Sequence, residues 1–429
     1  MSATPARPDA STAAPLAAAS AVSNHLDTRT AATEVAHAIS ESLGGPADLV
    51  FAFASYHHRA ALPVAIPGPR GGGVGAGDIL RRALLRNGEP DATSRSGVLL
   101  AVTAESVLGN DVELEGRAGL SVLALRMPGV RLHPFRLLPN DPSVNLNDAA
   151  SIRALTGAGE DTRAIILFAD PFSTPVAQLL PLMAACVPGV TIPIGGGLAS
   201  GSSQPGMNVL VMNEQSQNVG LVGVSISGPV AIDWVVSQGC KPIGKPHVIT
   251  KAEQNILIEL GGRPALEVVR ETAESLDEHD RELLSKGLFF GLVIDEYKSR
   301  FGRGDFLIRN VLGIDQNRGA IAVGELLKVG RTVQMHVRDA ATATEDLQLL
   351  LDAQQLKDAP AGVLGFTCNG RGTRLFPEPH HDAAILRDRL GHAPLAGFFA
   401  GGEIGPIGGR SFLHGHTLSA AVFRPGSAG

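Results

Sequence analysis

Between Asp170 and Glu214 the chain carries no charged side chain. A stretch this apolar has to be buried, either in protein or in lipid. A membrane-spanning helix needs about 20 uninterrupted apolar residues. Here Pro171, Pro175, Pro181, Pro188 and Pro193 break the run, and Gly195, Gly196 and Gly197 follow. Proline removes a backbone donor and clashes with the preceding helical turn. The segment therefore reads as short buried elements of an α/β core, with no membrane span.

Composition narrows the class further. The 429 residues carry a net charge of −6, which lacks the clustered basic charge that phosphate neutralisation demands, so nucleic acid is not an expected partner. Hydrophobic residues are 44% and charged residues 18% of the chain, which excludes a largely disordered protein. Three cysteines cannot build a disulfide framework, so the expected compartment is the cytoplasm. With 51 Gly and 28 Pro, many turns and short strands are expected rather than a helical bundle. Residues 1–23 hold nine Ala, four Ser, three Pro and two Thr, a composition that predicts a disordered tail over 1–24.

Apolar periodicity predicts helices over 28–43, 77–87, 175–186 and 381–390, with others after Pro264 and Asp339. Continuous apolar runs predict strands at 48–55, 97–102, 119–126, 163–169, 190–194 and 207–213. Residues 218–237 read as a hairpin around Ser227-Gly228-Pro229. Later strands are expected near 288–294, 305–313, 319–323, 331–337, 362–367, 395–399 and 413–423. This is an α/β fold in two related mixed halves, with β-sheets layered against helices. The halves are placed at 25–245 and 246–424.

Several clusters bear on chemistry. Gly71-Gly-Gly-Val-Gly-Ala-Gly77 lacks the Lys-Ser/Thr ending of a phosphate loop, since Asp78 and Ile79 follow; it reads as a flexible loop before a helix. His57-His58, His380-His381-Asp382 and His414-Gly-His416 lack the spacing of a zinc site, and neither a metal nor a cofactor is expected. Thr367-Cys368-Asn369-Gly370-Arg371-Gly372 ends an apolar strand and breaks sharply through two glycines. It presents a thiol, an amide and a guanidinium at the carboxyl end of a strand, where α/β sheets often bind ligands. Arg371 is suited to grip a carboxylate. Six glycines lie between 397 and 409 with Glu403 among them, and Gly195-Gly-Gly-Leu-Ala-Ser-Gly201 is the matching segment earlier in the chain.

At these residues the sequence resembles the FIST family, named for F-box and intracellular signal transduction proteins. The carboxyl-terminal resemblance rests on Phe366–Gly372, Gly397–Pro406, the Leu-His-Gly-His-Thr-Leu run that holds His414, and, upstream, Tyr297–Val311 and Val337-Arg338-Asp339. The amino-terminal one rests on Thr103-Ala-Glu-Ser-Val-Leu-Gly109, Glu113, Glu115, 195–201 and 237–244. It spans about residues 30–424, so both FIST halves are expected in a stand-alone arrangement without an F-box or output domain. The family often has a Cys where this chain has Val102.

The resemblance implies a sensory module in a signalling context, binding a small molecule such as an amino acid, with a signalling protein as a further partner. The expected ligand-binding residues are Cys368, Asn369, Arg371, Glu403, His414, Gly196 and Gly197. Arg371 would take a ligand carboxylate and Glu403 its ammonium group. The alternatives are a thiol enzyme using Cys368, His414 and Glu403, or an interaction scaffold whose glycine loops are bends.

Overall fold

The unbroken apolar runs become strands buried on both faces, as in Leu49–Ser55, Val98–Ala104 and Gly362–Cys368. The computed structural model describes residues 15–63, 65–66, 73–86 and 97–426. Three mixed sheets follow one plan. A strand and a helix lead to a second strand; another helix leads to a third strand, parallel to the second; a fourth inserts between the first and second. The first sheet uses Ala17–Ser23, Leu49–Ser55, Val98–Ala104 and Leu120–Arg126. The second uses Arg131–Leu137, Thr162–Ala169, Ile194–Leu198 and Leu221–Ser227. The third uses Val230–Gln238, Gly362–Cys368, Leu395–Ala400 and Thr417–Pro425.

Each repeat also makes a hairpin between its third and fourth strands and gives it to a different sheet. Val107–Gly109 joins Leu395–Ala400 in the third sheet. Leu210–Met212 joins Val98–Ala104 in the first. Glu403–Ile407 joins Ile194–Leu198 in the second. The exchange is cyclic, so each sheet is completed by a segment of another repeat.

Helices cover the outer face of every sheet: Thr28–Leu43 and Ala76–Leu84, Ala149–Thr156 and Val176–Ala184, Ala340–Asp352 and His381–Arg389. The inner faces share one core. Phe53, Phe168 and Phe366 hold equivalent places on the three second strands, and their ring centroids are 5.5, 6.0 and 6.4 Å apart with edge-to-face geometry.

An all-antiparallel barrel is inserted before Ala340–Asp352. Its ring runs Cys240–Glu253, Thr332–Arg338, Phe289–Val293, Phe306–Asp315, Ala320–Val323 and Ile256–Leu260, which returns to the first strand.

The expected α/β class is what the chain adopts, but the internal repetition is threefold, not twofold. A boundary between 245 and 246 would cut the strand Cys240–Glu253, and the second sheet needs residues 403–414, so the two expected halves are interleaved. The expected tail is corrected over Ala17–Ser23, which pairs with Leu120–Arg126, its alternate small residues turning inward; residues 1–14 lie outside the described residues. The expected 218–237 hairpin does not form. Leu221–Ser227 pairs with Thr162–Ala169, while Val230–Gln238 turns away to Thr417–Pro425 in another sheet. The strand expected at 190–194 begins at Ile194 and runs to Leu198. Gly71 and Gly72 of the glycine-rich loop also lie outside the described residues. The uncharged segment supplies the helix Val176–Ala184 and the strands Ile194–Leu198 and Leu210–Met212. Among the described residues no helix is long and apolar enough to cross a membrane.

Candidate functional site

The strand Gly362–Cys368 ends in a tight turn closed by the Arg371 amide donating to the Cys368 carbonyl at 2.8 Å. Gly372 follows with φ 58°, in the left-handed region that favours glycine, and a Cβ there would lie 2.6 Å from the Glu115 carboxylate, which would have to shift. The turn drives Arg371 inward to complete burial. There Nε and Nη2 donate to Asp382 at 2.7 and 2.8 Å. Asp382 also accepts from the Thr367 hydroxyl at 2.6 Å and contacts His381 Nδ1 at 2.9 Å. Burial works to raise the Asp382 carboxyl, but the charge and hydrogen bonds of Arg371 outweigh it and hold the group well below the usual carboxylate range.

Two further carboxyls meet this pair. Glu113, brought by the hairpin of the first repeat, accepts from the Ala383 amide at 2.9 Å. Burial, reinforced by the charge of Asp382, pushes it up to about 8. Glu403 starts the hairpin given to the second sheet. It is fully buried and accepts from the Thr417 amide and hydroxyl at 3.1 and 2.8 Å. Burial pushes it too up to about 8, the Thr417 hydrogen bonds countering only part of the effect. At neutral pH the cluster is thus one ion pair flanked by two mostly protonated carboxyls.

Cys368 is partly exposed, and its sulfur accepts from the Gly370 amide at 3.4 Å. Burial, then the nearby Glu403, pushes the thiol up to about 12. Such a group stays protonated and is a poor nucleophile. His414 Nε2 contacts the Gly405 carbonyl at 2.9 Å, and burial pushes the ring down to about 4. Among the described residues no hydrogen bond or ion pair joins His414 to Cys368 or Glu403, so the Cys368–His414–Glu403 arrangement is not assembled. His416, with φ 63°, reaches Asn310 at 2.8 Å and lies within the fields of Arg338 and Arg371.

The expected grip of Arg371 on a ligand carboxylate is corrected by this geometry. Asp382 occupies its fork, and Nη1 alone is left. Glu403, mostly protonated, offers no standing anion for an ammonium group. Gly196 and Gly197 lie beneath Glu403 in the strand Ile194–Leu198, paired with Ile404 and Glu403. A Cβ on Gly196 would come 1.9 Å from the Leu167 carbonyl oxygen, so its glycine serves close strand packing.

Asn369 stands at the mouth of a cavity of about 240 Å3. Glu105, Ser106, Glu115, Thr373 and Arg374 line it with Asn369. Arg374 pairs with Glu105 and donates to the Asn369 carbonyl at 2.8 Å. Glu115 accepts from the Thr373 hydroxyl at 2.9 Å. The Thr103–Gly109 motif and the Cys368–Gly372 motif, distant in sequence, therefore meet at one opening.

Among the described residues twelve buried side-chain polar atoms have no hydrogen-bond partner, and six belong to this neighbourhood: Glu113, Arg338, Asn369, Arg371, Glu403 and His416. Native interiors leave few such atoms, and each calls for an explanation. Glu113, Asp382, Arg338 and His416 are site residues that the ligand expectation omitted. Glu113, Arg338 and His416 lie in segments that carry the family resemblance; Asp382 lies in a histidine run weighed only for metal. Among the described residues no group of three or more His, Cys, Asp or Glu is placed to hold a metal ion.

The FIST N domain model matches residues 11–263 and the FIST C domain model 265–406. The chain belongs to the FIST family, whose domains are associated with sensing in signal transduction. An uncharacterized protein of Mycobacterium tuberculosis is 39% identical over 409 residues, covering 94% of this chain and 98% of that protein. An uncharacterized protein of Mycobacterium bovis is 45% identical over 260 residues, 60% of this chain and 67% of that protein. Among solved structures, a cyanuric acid hydrolase from A. caulinodans aligns at a TM-score of 0.32 and 11% identity, over 96% of this chain and 100% of that one.

Proposed function

We propose that this chain is a cytoplasmic small-molecule sensor whose ligand, an amino acid or similar compact metabolite, enters at Asn369 and reaches the Cys368–Arg371 turn. The observation that carries the reading is the gathering of unpartnered buried polar atoms around the Cys368–Arg371 turn, one of which, Asn369 Oδ1, belongs to a residue lining a small opening. An unpaired buried group costs about 1–3 kcal/mol, which a ligand of matching polarity relieves. Arg374, which lines the opening, supplies a donor on a cationic group, fitting a carboxylate. Asn369 Oδ1 supplies an acceptor, fitting an amino group. The exposed edges of the opening, with Arg374, Glu105 and Glu115, suit the rest of a zwitterion. Occupancy would be passed to a signalling partner.

Thermal-shift measurements with the twenty amino acids and a set of short carboxylates test this. A true ligand at one hundred times its Kd stabilises the fold by about 2.7 kcal/mol, and Asn369→Leu abolishes that gain. No stabilisation by any compound, or stabilisation unaffected by Asn369→Leu, would sink the proposal.

A further inference from the structure

A larger cavity, of about 530 Å3, lies where the barrel meets the second sheet and its helix Val176–Ala184. Its floor is apolar, built by Leu180 of that helix, Leu292 and Leu307 of the barrel, and Phe412 of the hairpin strand Arg410–His414. Its rim is cationic. Arg309, Lys328, Arg331 and Arg410 line it, against the single carboxylate of Glu325. Glu325 is engaged by Arg309 at 2.8 Å, and Arg331 is paired with Glu296 at 3.0 Å. Lys328 and Arg410 have no carboxylate within ion-pair distance among the described residues; Arg410 instead lies over the Phe412 ring, 5.3 Å from its centroid. This local excess of positive charge stands out on a chain of net charge −6. A neighbouring cavity of about 510 Å3 shares Arg331 and Arg410, but there Asp295, Glu296 and Asp305 stand against Lys298, Arg331 and Arg410 and leave no excess of positive charge.

We infer that this cleft binds an amphipathic organic anion, a monomeric medium-chain carboxylate. The tail lies on Leu180, Leu292, Leu307 and Phe412. The head is held between Lys328 and Arg410, whose charges are otherwise uncompensated. The volume is that of a small-molecule site, and an apolar floor with few convergent charges is the usual composition of one. The site is separate from the turn at Cys368 and does not depend on the reading given to that turn.

Displacement of cis-parinarate from the full-length protein tests the assignment, with decanoate, 1-decanol and acetate as competitors at monomeric concentrations. Decanoate is expected to displace the probe at one site per chain, roughly tenfold more tightly than decanol, with acetate inactive. Lys328→Glu combined with Arg410→Glu, both exposed, is expected to weaken decanoate about tenfold or more while leaving the melting temperature near that of the parent chain. Ala177→Trp, placed on the exposed side of its helix and lining the cavity, fills the floor and blocks the probe. Decanol binding as tightly as decanoate overturns the inference. So does undiminished affinity in the charge-reversed chain, or uptake seen only with phosphatidylglycerol vesicles.

Discussion

Arg371 closes its guanidinium fork on Asp382, with Nε and Nη2 on the two carboxylate oxygens, and the two side chains are 0% and 1% exposed. A buried pair of this kind is costly to break from one side, because the remaining charge is left without a partner. Asp382→Ala should lower the unfolding free energy in urea by about 3–5 kcal/mol. The double variant Arg371→Met/Asp382→Leu should regain part of that loss. A double variant no more stable than the single one would show that the pair is not what the single substitution disrupts.

Glu403 and Glu113 give the fold a pH dependence of opposite sign to that of ordinary ion-paired carboxylates. Each is raised from 4.5 to about 8 in the folded chain. The native state therefore holds a proton that the unfolded chain has released. Stability is full below about pH 4.5 and declines as pH rises through about 8. Each group contributes at most about 1.4 kcal/mol per pH unit to that slope. Glu403→Gln should flatten its share of the decline, read from urea midpoints between pH 5 and 9. An unchanged slope would mean that Glu403 is ionised in the folded state.

Cys368 should behave as a thiol and not as a thiolate. With its pKa pushed up to about 12, it should react with iodoacetamide at pH 8 more slowly than free cysteine, and Cys368→Ser should leave ligand-induced stabilisation intact. Rapid alkylation of Cys368, identified by peptide mass spectrometry, would revive the thiol-enzyme reading.

The aromatic centre should dominate the shared core. Phe168→Ala should cost about 3–5 kcal/mol, and Phe168→Leu clearly less, because Phe168 packs edge-to-face on both Phe53 and Phe366. Equal losses for the two variants would show that the aromatic geometry adds nothing beyond the removed volume.

The cyclic exchange of hairpins predicts that the chain cannot be divided at the boundary between its two family domains. A fragment of residues 1–263 lacks Glu403–His414 for the second sheet, and 265–429 lacks Val107–Leu114 for the third. Neither should show a cooperative melt when expressed alone, as followed by circular dichroism. A cooperatively melting monomeric fragment would contradict the interleaving.

Much of this fold is legible in the sequence, because burial on both faces writes its strands as unbroken apolar runs. The threefold plan also leaves a local trace. Asp27, Asp148 and Asp339 cap the first helix of each repeat, and Thr30, Ser151 and Thr342 stand three positions on. What local pattern does not carry is the partner of each edge. Leu221–Ser227 and Val230–Gln238 flank a turn signal, yet they enter different sheets, since pairing is decided by which edges lie open after the helices pack. The site shows the same limit. The residues of the Cys368–Gly372 turn stand out, but the carboxylate that claims Arg371 lies in a His-His-Asp run that prompts only the question of a metal, which its spacing does not fit.

The exchange also sets an order of events during synthesis. Ile194–Leu198 leaves the ribosome with one edge unclaimed, and its partner strand at Glu403 follows about 200 residues later. At about 5–20 residues per second the wait is roughly 10–40 s. An open apolar edge is a template on which other chains can add. Gly195, Gly196 and Gly197 occupy this edge, and glycine is among the weakest strand formers. The triple glycine that lets neighbouring strands pack closely in the finished fold also makes the nascent edge a poor seed for aggregation.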